Sequence, residues 1–235
     1  MFAFFSNKKT LVEQGVFSGL VDSHSHILPG VDDGVKTIKE ALGILNDYAR
    51  MGVKEVWLTP HIQEYMPNTT AELQEKFAEL QNEYKGTVKL HLAAEYMIDN
   101  LFLERLENDD LLFHGVGERR LLVETSYFNP PMDFINTLRV IQQKEIVPIL
   151  AHPERYTYME KKDYDEIHSM GVLFQLNLPS LIGFYGSHAQ KKSMELLEAG
   201  YYSVSGTDIH SQNLIASIQK TKVSSIKSKI PNRSL

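Results

Sequence analysis

The sequence predicts an α/β fold, a parallel TIM-like barrel of about seven βα units in a single domain. Two observations lead there. Short apolar runs rich in β-forming residues alternate with segments whose apolar residues recur at helical spacing, and no internal repeat or linker interrupts the series. All but one of those runs also end in a histidine or a carboxylate, and in a parallel barrel the loops after the strands share one face. Alternation alone does not separate a barrel from an open sheet, but so regular a run suits closure better.

Taken in order, Gly19-Leu20-Val21 reads as a buried strand leading into Asp22-Ser23-His24-Ser25-His26. Imidazoles at i and i+2 on extended backbone point to the same side, so both can reach one ion. A loop opens at Pro29-Gly30, and Asp33 within it could add an oxygen. Thr37, with Glu40 three residues on, caps a helix over 38–51 that Gly52 closes. Residues 53–59 form a strand stopped by Pro60 and followed by His61. Asn68-Thr69-Thr70 starts a helix reaching about Tyr84, and the alternating residues 87–94 deliver Glu95. A short helix covers 101–107, and a strand over 120–123 ends in Glu124. A helix over 132–144 precedes a strand over 146–151 that ends in His152. A helix over 163–170 precedes a strand over 172–177, which ends at Asn177 without an ionisable ligand. The last helix, 187–199, leads into a strand over 201–206 and then Asp208 and His210. The domain spans 19–218, between an N-terminal arm (1–18) and a basic, Ser-rich tail (219–235).

Composition narrows the function. With 43% hydrophobic residues, the 235-residue chain can bury a full core. The net charge of −6 argues against a nucleic-acid binder, which would show a basic face. The absence of cysteine excludes disulfides, thiolate zinc sites and a cysteine nucleophile. No apolar run approaches the roughly 18 residues that span a bilayer, and the apolar Met1-Phe2-Ala3-Phe4-Phe5 is too short for a signal core, with Lys8-Lys9 behind it. A cytoplasmic location without membrane insertion is the expectation, and the oligomeric state is left open.

Charged groups gathered at a barrel mouth would repel one another or stay desolvated unless something paired them. A cluster of divalent cations supplies that pairing. Five imidazoles (His24, His26, His61, His152, His210) and up to four carboxylates (Asp33, Glu95, Glu124, Asp208) exceed one tetrahedral site, so two or three ions are implied. Nitrogen and oxygen without sulfur suit zinc, manganese or iron(II). Adjacent ions of this kind hydrolyse phosphate esters. Arg155, three residues past His152, is placed to grip phosphate, with a surface salt bridge to Glu154 or a nearby acid as the plainer alternative.

The set His24-x-His26, Asp33, Thr59-Pro60-His61, Ala94-Glu95, Leu122-Val123-Glu124, Ala151-His152-Pro153-Glu154-Arg155 and Thr207-Asp208-Ile209-His210 resembles the polymerase-and-histidinol-phosphatase (PHP) superfamily. Within it, the chain is most similar to the metal-dependent bacterial protein tyrosine phosphatases of capsule and exopolysaccharide loci. The stretch from Asp22 through Ile27-Leu28-Pro29-Gly30-Val31-Asp32-Asp33-Gly34 is characteristic of that branch, and the resemblance covers residues 20–215. It implies a distorted (β/α)7 barrel with three divalent metal ions. His24, His26, Glu95 and Asp208 would hold the first, and Asp33, His61 and His210 the second. Glu95 would bridge to a third, held also by Glu124 and His152. The resemblance implies manganese (Mn2+), while the ligands alone would equally accept iron or zinc. It further implies that Arg155 contacts the substrate phosphate, with Asp208 and His210 at the reacting centre. The reaction would be attack of a metal-bound hydroxide on phosphotyrosine with no covalent intermediate. The substrate would be the tyrosine-rich tail of a membrane-bound bacterial tyrosine kinase controlling polysaccharide export.

One departure stands out. Where this branch often carries a second arginine, the sequence reads Ser211-Gln212-Asn213-Leu214-Ile215, so phosphate would be held differently, for instance by Lys220, or more weakly. His91, His114, His168 and His188 lack a partner motif and read as structural or solvated, and Trp57 reads as core. Tyr65, Tyr96, Tyr127 and Phe128 either line an aromatic-accepting mouth or pack the core, and Phe128-Asn129-Pro130-Pro131-Met132 reads as a rigid loop beside Glu124. The rival functions are a small-molecule phosphatase such as a histidinol phosphatase, a nuclease, and a non-catalytic phosphotyrosine-binding partner.

Overall fold

The computed structural model describes residues 8–115, 117–226 and 229–231, so the Met1–Phe5 run of the arm and part of the tail lie outside the described residues. Parallel strands separated by helices make up the body. A short strand, β1 (Lys9–Thr10), precedes β2 (Val21–Ser25), β3 (Glu55–Leu58) and β4 (His61–Ile62). Then follow β5 (Lys89–Leu92), β6 (Glu95–Met97), β7 (Arg120–Glu124), β8 (Val147–Leu150), β9 (Leu173–Asn177) and β10 (Tyr202–Gly206). The order in one parallel sheet is β2-β3-β5, and in the other β10-β9-β8-β7-β6-β4.

The chain itself joins the two sheets. The expected strand over 53–59 breaks at Pro60, whose missing N–H cannot join a ladder, and resumes as β4 in the other sheet. The same switch divides β5 from β6 at Ala93-Ala94. Ala93 N donates to Leu58 O (2.9 Å) and Glu95 N to Pro60 O (3.1 Å), which ties the two crossing points together. On the opposite flank, His26 N donates to Ile209 O (2.9 Å) and Asp208 N to His24 O (2.8 Å), linking the end of β2 to the segment after β10.

The strands are apolar on both faces, as buried parallel strands are. In β7, Leu121 and Val123 join the large core shared with the helices, while Leu122 between them joins a smaller inner cluster with Ile149, Ala151 and Val204. Helices α1 (Ile38–Met51) and α2 (Thr70–Glu83) start with the capping boxes Thr37/Glu40 and Thr69/Glu72. Helices α3 (Asn100–Asn108), α4 (Phe134–Gln143), α5 (Lys161–Ser169), α6 (Leu178–Leu181), α7 (Gly186–Ala199) and α8 (Gln212–Lys220) follow. The helix expected from 132 starts later because Pro130-Pro131 and a left-handed Asp133 (φ 54°) precede it.

The arm and tail pack onto the body. Leu11, Phe17 and Ile226 are buried, and β1 pairs antiparallel with β11 (Lys222–Val223). The sequence reading did not include α8, although Leu214, Ile215 and Ile218 give it a buried stripe. It carries Lys220 to its far end, about 12 Å along the axis from Gln212. Among the described residues, no helix is long and apolar enough to cross a membrane.

Candidate metal centre

Strand ends assemble one buried cluster. His24 lies in β2 and His26 directly after it, both fully buried, and their Nε2 atoms meet at 3.1 Å, as i and i+2 spacing on extended backbone allows. His61 opens β4, Glu95 opens β6 and Glu124 closes β7. His152 (φ 33°) follows β8, and Asp208 (φ 50°) follows β10. Left-handed backbone at two non-glycine residues costs about 1–3 kcal/mol each and persists only where surrounding contacts enforce it. Here His152 N donates to Gln175 Oε1 (3.1 Å) and Asp208 N to His24 O (2.8 Å).

Glu95 is the hub. Its Oε2 lies 3.1 Å from His24 Nε2, 3.3 Å from His26 Nε2 and 3.1 Å from His61 Nδ1, while Oε1 lies 2.9 Å from His152 Nε2. Glu124 reaches His61 Nδ1 (3.2 Å) and His152 Nε2 (3.7 Å). Asp208 Oδ1 stands 3.2 Å from His26 Nε2, 3.5 Å from His24 Nε2 and 3.4 Å from His210 Nδ1. The more exposed Asp33 lies 3.5 Å from His61 Nε2 and 3.4 Å from His210 Nε2. Donor atoms therefore gather in three groups: His24, His26, Glu95 and Asp208; His26, Asp33, His61 and His210; and His61, Glu95 and Glu124. The first group has the membership the resemblance implies. In the second, His26 joins the three residues expected there. In the third, His61 stands where His152 was expected, with His152 on the other oxygen of Glu95.

The electrostatics show what the cluster lacks. Burial pushes the carboxyl groups of Glu95 and Asp208 up, yet the surrounding histidines hold both well below the usual range. Burial and His26 push His61 down, but Glu95 and Glu124 outweigh them and raise it to about 9. Without a cation, protons must balance the buried carboxylates. Glu95 Oε2 and His61 Nδ1 are 3.1 Å apart but not aligned for a hydrogen bond, and both are buried without one, although most such atoms in folded proteins have a partner. Divalent ions would occupy those directions and replace the protons, so the donor set fits them.

A second tier of groups aims the first. His26 Nδ1 donates to Asp32 Oδ2 (2.7 Å), and His24 Nδ1 donates to Gln175 Oε1 (3.0 Å). In both rings this leaves Nε2, on the cluster side, free as a ligand. Asp32 also accepts from His61 N (3.1 Å). Asp22 accepts from Tyr48 OH (2.6 Å), Thr207 N (2.9 Å) and Thr207 Oγ1 (2.8 Å), fastening β2 to the loop that carries Asp208. Two glycines permit the close approach of these segments. A Cβ at Gly34 would sit 2.3 Å from His26 O, and one at Gly206 would sit 2.6 Å from His24 Cβ.

Arg155 stands at the edge of the cluster. Its Nη1 donates to Asp208 Oδ2 (2.6 Å), and its guanidinium lies between the rings of Tyr127 (4.3 Å) and Tyr185 (4.1 Å). The alternative partner Glu154 instead is buried, accepting from Asn177 N (3.0 Å) and Tyr202 OH (2.9 Å). Asp208 Oδ2 also accepts from Asn177 Nδ2 (3.1 Å) and Tyr185 OH (3.4 Å).

All nine sequence-predicted ligand positions thus lie in one cluster with Arg155 beside it, while His91, His114 and His168 lie elsewhere and His188 lines a cavity next to Arg155. Sequence reasoning missed Asp32, Gln175, Asn177 and Tyr185 as supports. Gln175 did leave a signal, a lone polar residue inside Leu173-Phe174-Gln175-Leu176, which burial makes costly without a partner. Cavities of 210 Å³, beside Asp33 and His210, and 230 Å³, beside Arg155, flank the cluster. The larger groove of 630 Å³ lies away from it, between α4 and α5.

Comparison with known proteins places the chain. The family described as capsular polysaccharide synthesis, CpsB/CapC, matches residues 20–233. The chain is 30% identical over 199 residues to the CapC protein of Staphylococcus aureus, covering 82% of this chain and 77% of that one. It is 29% identical over 202 residues to the tyrosine-protein phosphatase CpsB of Streptococcus pneumoniae, covering 81% and 83%. A solved chain from crystal structures of YwqE from Bacillus subtilis and CpsB from Streptococcus pneumoniae, described as metal-dependent tyrosine phosphatases, superposes with a TM-score of 0.73. It is 21% identical and covers 89% of this chain and 84% of that one, which shows the fold. On the length and identity of these matches, the chain belongs to the CpsB/CapC family of capsular polysaccharide synthesis proteins.

Proposed function

We propose that this protein is a metal-dependent tyrosine-protein phosphatase that hydrolyses phosphotyrosine on a bacterial tyrosine kinase in the cytoplasm and so regulates capsular or exopolysaccharide synthesis. One observation carries the reading: nine histidine and carboxylate groups converge in one cluster, seven of them buried and Asp33 and His210 at its open edge, with an arginine beside it. The name of the relative CpsB, a tyrosine-protein phosphatase, supports the same activity, and the family's description supports the setting of capsular polysaccharide synthesis. The hydrogen bonds across both seams between the sheets support their acting as one distorted (β/α)7 barrel, built from residues 19–218.

In this reading, His24, His26, Asp33, His61, Glu95, Glu124, His152, Asp208 and His210 hold three divalent ions, taken here as manganese. Bound cations of this kind acidify water and neutralise charge on phosphoryl oxygens. The chain's own residues do the rest. Arg155 holds the phosphate oxygens through its remaining N–H groups, and its planar guanidinium is kept in place by Asp208 and by the rings of Tyr127 and Tyr185. Asp32 and Gln175 fix the ring orientation of His26 and His24, so the ligand atoms need no rearrangement when the substrate arrives. With no cysteine in the chain, a thiolate nucleophile has no part in the reaction.

The test is hydrolysis of a phosphotyrosyl peptide beside a phosphoseryl peptide and histidinol phosphate, with manganese and after chelation. Manganese-dependent turnover favouring the phosphotyrosyl peptide is expected. A preference for histidinol phosphate would move the protein to the small-molecule phosphatases, and bound metal without turnover of any of the three would contradict the enzymatic reading.

A further inference from the structure

The 230 Å³ cavity beside Arg155 is walled by four rings, those of Tyr127, Phe128, Tyr185 and His188, together with Arg155 and Thr157. Arg155 belongs both to this cavity and, through Asp208, to the buried cluster. The cavity beside Asp33 is different: Asp33, Lys36, Glu40, His210 and Gln212 line it, and no phenylalanine, tyrosine or tryptophan does. Phe128 is a large apolar side chain left 71% exposed at the mouth of the aromatic cavity. Its loop is nevertheless pinned. Thr157 donates to Tyr127 O through both N (2.8 Å) and Oγ1 (2.9 Å), and Phe128 N donates to Ser126 Oγ (3.3 Å). Pro130-Pro131 stiffens the chain just beyond. Phe184, also exposed, sets its ring 5.1 Å from that of Tyr185 on the far rim.

We propose that this cavity is an aryl subsite, which takes the ring of phosphotyrosine while the phosphate meets Arg155 and the cluster; the proposal rests on the tyrosine phosphatase reading. In an aryl phosphate one oxygen separates ring from phosphorus, so a ring site must border the anion site. Of the two cavities flanking the cluster, only this one combines that border with aromatic walls. An alkyl phosphate would reach the same anion site and leave the rings unfilled. Selection for tyrosine would then come from stacking on Phe128 and His188, and the departure from the two-arginine pattern would be offset by contacts to the ring. Loss of one aromatic contact is expected to weaken ring binding about three- to ten-fold.

The experiment measures kcat and KM for a phosphotyrosyl peptide, and inhibition by benzylphosphonate, whose methylene stands in for the ester oxygen, and by methylphosphonate, in the manganese-loaded protein and in Phe128→Ala, Phe128→Leu and His188→Ala. The two phosphonates share the anion and differ in the ring. Phe128→Ala and His188→Ala should each raise KM and the benzylphosphonate inhibition constant about three- to ten-fold, with kcat within about two-fold. Methylphosphonate inhibition should hold, and Phe128→Leu should fall between wild type and Phe128→Ala. Equal shifts for both phosphonates, or no shift for either alanine variant, would overturn the subsite while leaving the phosphatase standing. Absence of phosphotyrosyl turnover in the wild-type protein would overturn both.

Discussion

His61 sits among carboxylates and His114 beneath an indole, and these two buried imidazoles are driven in opposite directions. Around His61, Glu95 and Glu124 lie within 3.2 Å and hold the ring's affinity for protons up, at about 9. His114 is fully enclosed, stacks on Trp57 at 4.1 Å and donates Nε2–H to Ser23 O (2.8 Å). Burial, with no carboxylate to oppose it, pushes it down to about 3. On the other face of Trp57, His91 stacks at 4.5 Å and takes Glu55 as its partner (2.9 Å). The indole layer is packing: its rings stack, His114 meets the Ser23 carbonyl and His91 the Glu55 carboxylate, and Trp57 Nε1 and His114 Nδ1 stay buried without a hydrogen bond. The cluster above it is charge held at close quarters, which packing alone does not explain. Burial by itself therefore does not mark a functional histidine; the company of converging carboxylates does.

The comparison breaks first at Glu95. Glu95→Gln removes the one carboxylate that touches four imidazoles, and kcat/KM should fall about 10³-fold or more, with fewer metal ions bound per chain. Circular dichroism should show the fold retained, and full activity in a folded variant would refute the hub role. Asp32→Asn should be milder. It leaves every ligand in place but takes away the charged acceptor for His26 Nδ1, so metal affinity should drop about 10- to 100-fold, as read by titration with manganese. The smallest effect belongs to the indole layer. Because the folded-state pKa of His114 is depressed, the unfolded chain takes up its proton first on acidification. Stability contributed by neutral His114 is thus complete above pH 6.5 and is lost progressively as pH falls toward 3. In metal-free protein, His114→Phe should make the loss of stability between neutral and acid pH shallower in urea titrations, and metal-restored activity should stay near wild type.

Most of the cluster was legible because its members other than Asp33 lie at or just past the end of an apolar run, as at Leu122-Val123-Glu124 and Ala151-His152. The alternation of β2 to β10 with helices was legible for the same reason, since burial on both faces makes parallel strands uniformly apolar. Other features were not. The division of the parallel strands between two sheets depends on backbone switches at Pro60 and Ala93-Ala94, where hydrogen-bond partners change without any change in side-chain pattern. Asp32 and Asp33 are neighbours in one acidic loop, yet the first turns inward to His26 and the second faces His61 and His210. Adjacent residues of one chemical type give no hint of that division of labour. Asn177 and Tyr185 reach Asp208 from strand β9 and the segment before α7, long-range contacts that carry no local periodicity. Helix α8 is readable in principle from Leu214, Ile215 and Ile218, but only one helical stripe of three residues marks it, and no capping residue bonds at its start.

The most direct measurement follows metal content and turnover in the same samples. The chain is stripped by chelation and reconstituted in steps with manganese, and bound metal per chain is compared with the initial rate on a phosphotyrosyl peptide. The cluster account predicts no turnover in the stripped protein and a rate that rises with bound metal. Undiminished hydrolysis of phosphotyrosine by protein shown to contain no metal would contradict it.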